Sequence, residues 1–198
     1  MSLIYYILFF SLLYSYTEIN ENFFSGTDTL YAINSPYVSN QTIAIYPDAT
    51  VFIEDGVTWK FYSNSELRVL GTLQTAGNSD RNISFKSYDP EYQWLGIFLD
   101  ESTNSIIQYS IIENALYGIK VKDDNNINDP LVYNNEIKNC THGIYVDGNR
   151  DGKFYIDSNL IHNNNNGIST NKAEPIIKNN IITQNIQYGI NTSAGTCG

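Results

Sequence analysis

The side chains best suited to chemistry lie in two polar loops and along one row of alternate strand positions. One loop, DGNRDGK from Asp147 to Lys153, matches D-x-[DN]-x-[DN]-G through Asp147, Asn149, Asp151 and Gly152. In calcium loops that spacing turns alternate side-chain oxygens onto one hard cation, and the glycine permits the sharp bend. Ser158 stands at the twelfth position, where a bidentate Glu would complete the shell, and no flanking helices are expected. That excludes a full EF-hand. The expectation is a partial, weak Ca²⁺ site at Asp147, Asn149 and Asp151, set against the plainer reading of an Asp-Gly turn.

Asp147 also belongs to a row of acidic or amide residues, Asp100, Asp123, Asp147 and Asn171, each following a Gly-Ile strand. Like charges brought close together there would repel unless a cation or solvent intervened. A second row, Phe98, Lys120, Tyr145, Ser169 and Asn191, occupies the outward positions of the same strands. Phe98, Lys120 and Tyr145 are the candidate ligand-binding residues, since aromatic rings offer flat platforms to sugars or protein partners.

Both rows repeat because the chain does. Aligned on their glycines, four segments read IQYSIIENALYGI, VYNNEIKNCTHGI, IDSNLIHNNNNGI and IKNNIITQNIQYGI, starting at Ile107, Val132, Ile156 and Ile177. Each has an aliphatic residue first, Ser or Asn fourth (Ser110, Asn135, Asn159, Asn180), Ile sixth (Ile112, Ile137, Ile161, Ile182), and a closing Gly-Ile. Gly118, Gly143, Gly167 and Gly189 recur at intervals of 25, 24 and 22 residues, the period of a stacked repeat. A continuous helix would scatter the apolar positions over several faces. An unbroken strand would send the first two to opposite faces. Three short strands with bends between them place every aliphatic residue inward, with Ser or Asn at the first bend and glycine supplying positive φ near the second.

One coil of this kind cannot bury its own apolar face, so coils must stack at the strand spacing of about 4.8 Å. The expected fold is all-β, a single-stranded parallel β-solenoid of about six to seven coils, each of 22–25 residues. Stacking also accounts for an Asn column, read as Asn114, Asn139, Asn163 and Asn185, whose amides would hydrogen-bond from coil to coil. Between Asn104 and Thr192 there are 19 Asn and 17 Ile against three Leu, which argues against a leucine-rich repeat.

The pattern resembles the right-handed parallel β-helix of pectate-lyase-like proteins over residues 42–192. Upstream, Thr50 to Gly77, Ile83 to Ser87 and Trp94 to Leu99 are similar to the first coils of extracellular β-helix proteins, including the bark beetle type of animal surface protein. The right hand is what the resemblance implies. So is the enzymatic alternative: a polysaccharide lyase or epimerase acting on uronate-containing polysaccharide, or a hydrolase. Lyases pair a Lys or Arg base with a cation, and hydrolases flank one bond with two carboxylates. Lys120, Lys122 and Arg150 near Asp123 and Asp147 are the residues available. The Asp123-Asp124 pair stands alone, with no Gly-His-Gly nearby, His142 follows Thr141, and His162 falls in another column. The resulting expectation is a noncatalytic binding or scaffold module for carbohydrate or an extracellular protein.

Residues 1–16 contain an apolar run from Leu3 to Leu13, too short for the roughly 20 residues of a membrane span and the right length for a signal peptide. A secreted, extracellular protein without a membrane span in its mature chain is expected. Four N-glycosylation sequons, at Asn40, Asn82, Asn139 and Asn191, are compatible with that route. The net charge of −10, from 21 acidic and 11 basic residues, lies in no single run and argues against a nucleic-acid partner. Residues 17–49 read as an irregular, polar lead-in or cap, 50–192 as the β-helix, and 193–198 as a tail. Cys140 and Cys197 lie more than two coils apart, beyond the reach expected of a disulfide. Ile177, Ile182 and Ile190 form a last apolar layer that the tail does not cover, so end-to-end association is expected.

Overall fold

A computed structural model describes residues 15–122, 130–148 and 154–193. The chain winds through three parallel sheets in turn, with eight, eight and seven strands. Sheet 1 runs from Thr17–Glu18 through Ser110–Glu113 to Ile181–Thr183, and sheet 2 from Phe23–Phe24 through Trp94–Asp100 to Tyr188–Ser193. Sheet 3 runs from Thr27–Leu30 through Ile106–Gln108 to Ile176–Lys178. One strand from each sheet makes a coil, and about seven coils form the expected parallel β-helix. No helix among the described residues is long and apolar enough to cross a membrane.

The pairing register matches the repeat alignment. Ile112, Ile137, Ile161 and Ile182 are successive partners in sheet 1. Ile107, Val132, Ile156 and Ile177 are partners in sheet 3, and Ile119, Ile144, Ile168 and Ile190 in sheet 2. All of these except the last coil's three are fully buried. Toward the N-terminus the sheet 1 column widens to Phe85, Trp59 and Tyr37. Large rings there fill the interior that isoleucines fill later, with Phe61 stacked on Trp94 at 4.2 Å. Each indole N–H is satisfied, Trp59 by Ser39 Oγ (2.8 Å) and Trp94 by the Glu113 carbonyl (3.0 Å).

At the bends the structure corrects the expected division of labour. The repeat glycines do not carry the positive φ. At the first bend it falls on Tyr109, Asn134, Ser158 and Asn179, and at the second on Asn114, Asn139, Asn163 and Gln184. Asn tolerates that left-handed conformation better than most residues, which accounts for its abundance at the bends. Glycine is needed for space instead: a Cβ on Gly118 or Gly143 would sit 2.5 Å from the carbonyl oxygen of the next coil's glycine.

The amide ladders run one position away from the expected column. Asn163 bonds to its neighbour His162, and the partner in register with it is Gln184 rather than Asn185. Two other columns form ladders. At the first bend Asn135 Nδ2 donates to Asn159 Oδ1 (3.0 Å) and Asn159 Nδ2 to Asn180 Oδ1 (3.0 Å). At the second, Asn164 Nδ2 donates to Asn185 Oδ1 (3.1 Å). Each ladder oxygen also accepts the backbone N–H of the coil before it, as Asn135 Oδ1 does from Ser110 (2.9 Å). Polar groups the bends would otherwise bury unpaired are thereby satisfied. Cys140 is buried in this second column, and its thiol is pushed up to about 12 by burial.

Residues 17–49, expected to be irregular, carry short strands that pair into all three sheets. Parallel pairing draws on the backbone, so polar side chains did not prevent it, and coiling begins before Thr50. Residues 1–14 of the proposed signal peptide, most of the Asp147–Lys153 loop, Asp123, Asp124, Arg150 and Cys197 lie outside the described residues.

Truncating Ile137 to Ala should lower unfolding free energy by about 2–5 kcal/mol. Gly143→Ala, which fills no cavity, should cost about 1–3 kcal/mol through overpacking. Urea denaturation followed by circular dichroism reads both, and an unchanged midpoint for either would contradict the inward stacking.

Candidate functional site

Sheet 2 is the broadest of the three, and its outward side chains fall into three columns fixed by strand register. The first is Glu66, Gly96, Tyr117, His142, Asn166 and Tyr188. The second is Arg68, Phe98, Lys120, Tyr145, Ser169 and Asn191, which is the row read from the sequence, extended by Arg68. The third is Asp100, Lys122, Asp147, Asn171 and Ser193. Phe98, Lys120 and Tyr145 therefore stand one above another, each half-buried.

Around them the side chains form one connected cluster. Lys120 Nζ lies over the Phe98 ring at 4.4 Å and over Tyr117 at 5.6 Å, while the Arg68 guanidinium lies 5.4 Å from the Phe98 centroid. Such cation–π contacts hold two mobile cations against the sheet. Tyr117 in turn stacks on His142 at 5.2 Å and lies 5.3 Å from Tyr145. His142 Nδ1 is 3.2 Å from Ser169 Oγ. Tyr117 and His142 were missed as members, although their spacing of 25 residues equals that of the glycines that follow them.

Gly96 opens a cleft in this surface. The strand Trp94–Asp100 is one residue shorter here than Ala115–Lys122, so the register shifts between Gly96 and Ile97. Gly96 takes a φ of +114°, and a Cβ there would collide with the Tyr117 carbonyl. The first column thus has a gap between Glu66 and Tyr117. That gap is a cleft of about 140 Å³ lined by Glu66, Leu95, Phe98, Leu116, Tyr117 and Lys120. Burial raises the Glu66 carboxyl above its usual range, opposed in part by Arg68 and Lys120. Burial likewise lowers the His142 imidazole, favouring its neutral form, and raises the Tyr145 phenol, with Asp147 and Tyr117 adding to the rise.

The acidic row is corrected by one position: Lys122, not Asp123, stands in register between Asp100 and Asp147. Its ammonium is 3.9 Å from Asp100 and 3.1 Å from Glu101, so a lysine separates the carboxylates that would otherwise repel. Arg68 donates through Nε (2.9 Å) and Nη2 to Asp100 Oδ2, which is buried. Asp147 Oδ1 accepts from Asn171 Nδ2 at 2.8 Å. Asn149 and Asp151 lie outside the described residues, and no group of three or more His, Cys, Asp or Glu able to hold a metal occurs among those described. His162, on sheet 1, bonds to Glu136 at 3.1 Å, and Lys138 bonds the same carboxylate at 2.8 Å. Burial of Glu136 is outweighed by these two bonds, which hold its carboxyl below the usual range.

Fold and face together define a parallel β-helix repeat protein with a built outward surface. Residues 36–196 match the family described as periplasmic copper-binding protein (NosD), and the chain belongs to that family. No curated protein and no solved structure matches it. The family description names a periplasmic setting, which agrees with the broader expectation of a protein working beyond the cytoplasm.

The same description names copper, which favours thiolate, thioether and imidazole ligands. This chain holds two His, two Cys and one Met. His142 projects from sheet 2 and His162 from sheet 1, and the Cys140 thiol is buried and donates to the Lys138 carbonyl. Met1 and Cys197 lie outside the described residues. Soft donors do not converge among the described residues, so the described coils do not fit copper.

His142 gives the face a pH signature. Its folded pKa lies below the unfolded value of about 6.5, so acid favours the unfolded chain. Stability from this group is complete above that value and falls as pH drops through it and toward the folded pKa. Thermal melts from pH 7.5 to 5 should show a shallower decline in His142→Gln than in the parent. Parallel curves would mean that the imidazole is as free to protonate in the folded state as in the unfolded.

Proposed function

We propose that this chain is an exported, noncatalytic β-helix module that binds carbohydrate along the outward face of sheet 2. The observation that carries this reading is the connected cluster of Phe98, Tyr117, Lys120, His142 and Tyr145 beside the Gly96 cleft. Sugar rings present apolar C–H faces to aromatic side chains and hydroxyls to amides and hydroxyls. Asn171 and Asn191 continue the same columns beyond the rings, while Ser169 is buried against His142. Successive coils stand about 4.8 Å apart, so an extended chain of sugars lying along the solenoid axis meets a new side chain at each coil. Export draws support from the periplasmic description of the family and from the expected signal peptide at residues 1–16.

The competing reading is a uronate polysaccharide lyase or epimerase. It draws on Lys120 and a neutral imidazole at His142 on one face. Formation of an unsaturated product, followed by absorbance with uronate polysaccharides in calcium, would replace the noncatalytic reading.

Isothermal titration of the protein with neutral and uronate-containing oligosaccharides tests the binding itself. Tyr145→Ala should weaken the response about tenfold, as expected for a lost stacking contact, with the β-sheet circular dichroism of the parent retained. Binding indifferent to Tyr145→Ala and Phe98→Ala, or recognition confined to a protein partner, would overturn the carbohydrate reading.

A further inference from the structure

The Gly96 cleft has two walls of opposite charge that do not bond each other. Glu66 stands on one side, in register with Gly96, and Lys120 reaches over the Phe98 ring on the other. Among the described residues the Glu66 carboxyl accepts no hydrogen bond and enters no ion pair; only the longer-range charges of Arg68, Lys120 and Asp100 act on it. Arg68 is committed elsewhere, donating twice to the buried Asp100. The Lys120 ammonium contacts the faces of Phe98 and Tyr117 and no carboxylate among the described residues. A half-buried carboxyl and an ammonium therefore face one small cavity with their hydrogen-bonding capacity unspent. Groups left so away from water carry a desolvation cost, and for the same reason burial pushes the Glu66 carboxyl upward. The remaining walls are apolar: Leu95, Leu116 and the Phe98 and Tyr117 rings. At about 140 Å³ the cleft is smaller than sites that enclose a whole small molecule, roughly 300–1,000 Å³. It has room for a substituent of a ligand lying on the face, but not for the ligand itself.

Resting on the carbohydrate reading above, we propose that this cleft receives the exocyclic hydroxymethyl group of a neutral hexose, its hydroxyl donating to Glu66 and accepting from Lys120. The methylene carbon then lies against the leucines and the rings. One hydroxyl serves both walls because it is donor and acceptor at once. Charged substituents do not. A uronate carboxylate would pair with Lys120 but face Glu66 across the same cavity, and two carboxylates in a partly dry site oppose each other's ionisation. An ammonium would meet Lys120 in turn, with the Arg68 guanidinium beside Phe98. A pentose brings no group to fill the cleft. The cleft thus selects a neutral hexose by what Glu66 and Lys120 accept together, and rejects a uronate by the charge that Glu66 sets against it.

The test is isothermal titration of the full chain at neutral pH with three β-1,4-linked hexasaccharides that differ only at C5. Cellohexaose carries the hydroxymethyl group, xylohexaose a hydrogen, and the cellouronate hexamer a carboxylate. Cellohexaose should bind about tenfold more tightly than either of the others, the loss expected when a site built around a hydroxyl is offered none. Glu66→Gln, close in shape and uncharged, should raise the affinity for cellouronate about tenfold, with the parent's circular dichroism retained. Lys120→Met, which keeps an apolar stem over Phe98, should weaken cellohexaose about tenfold. Tyr145→Ala should weaken all three ligands alike and leave their order unchanged. Equal binding of cellohexaose and xylohexaose, tighter binding of cellouronate by the parent, or cellouronate affinity unmoved by Glu66→Gln would overturn the assignment of the cleft while carbohydrate binding stands. Heat from none of the three would overturn both together.

Discussion

Parallel backbone pairing between coils is the constraint on which everything else in this molecule depends. Pairing between strands about 4.8 Å apart sets each residue over its counterpart one turn away, apart from the one-residue shift between Gly96 and Ile97. Where the sequence repeats, like is then placed on like. Isoleucine over isoleucine makes a continuous apolar interior, glycine over glycine lets two backbones approach at the second bend, and asparagine over asparagine makes a ladder. Each device works only because the coil above and below supplies the same one. The stability of such a stack is largely a sum of neighbour interfaces.

The same constraint that buries the inward columns arrays the outward ones. A side chain on sheet 2 has no freedom to choose its neighbours, since these are set by residues on the other face of the strand. Repulsion between Asp100 and Asp147 is relieved within the column itself, by Lys122 standing between them. The Gly96 cleft arises in the same way. At Gly96 the register shifts by one residue, Gly118 of the next coil having no counterpart, and the glycine standing in the outward column brings no side chain, which leaves the cleft. Surface relief on a solenoid is therefore written by small irregularities in the repeat.

That logic explains which parts of the structure could be read in advance. Inward positions repeat in kind, so the three aliphatic columns and the outward row of Phe98, Lys120 and Tyr145 were legible from spacing alone. Bends were harder, because a left-handed residue and an inward amide next to it are both Asn. Asn163 and Asn164 are indistinguishable in a run of four, yet one carries positive φ and the other a ladder bond. Glycine was assigned to the bend for its dihedral freedom when its role is the absence of a Cβ, a distinction that needs the position of the neighbouring coil. Strands between residues 17 and 49 were hidden for another reason: backbone pairing makes them, and their side chains show little alternation.

Inward and outward columns also carry different kinds of information about relationship and activity. In sheet 1 the inward column repeats isoleucine through four coils, whereas the second outward column of sheet 2 passes through Arg68, Phe98, Lys120, Tyr145, Ser169 and Asn191 without repeating a residue. A family defined over residues 36–196 rests on what recurs, and what recurs here is the pattern that builds coils. The description of that family as copper-binding transfers only where the ligands do, and the described coils bring no set of soft donors together. Function on such a scaffold resides in the positions that do not repeat. On this chain those positions place aromatic rings and a lysine held against them beside a cleft.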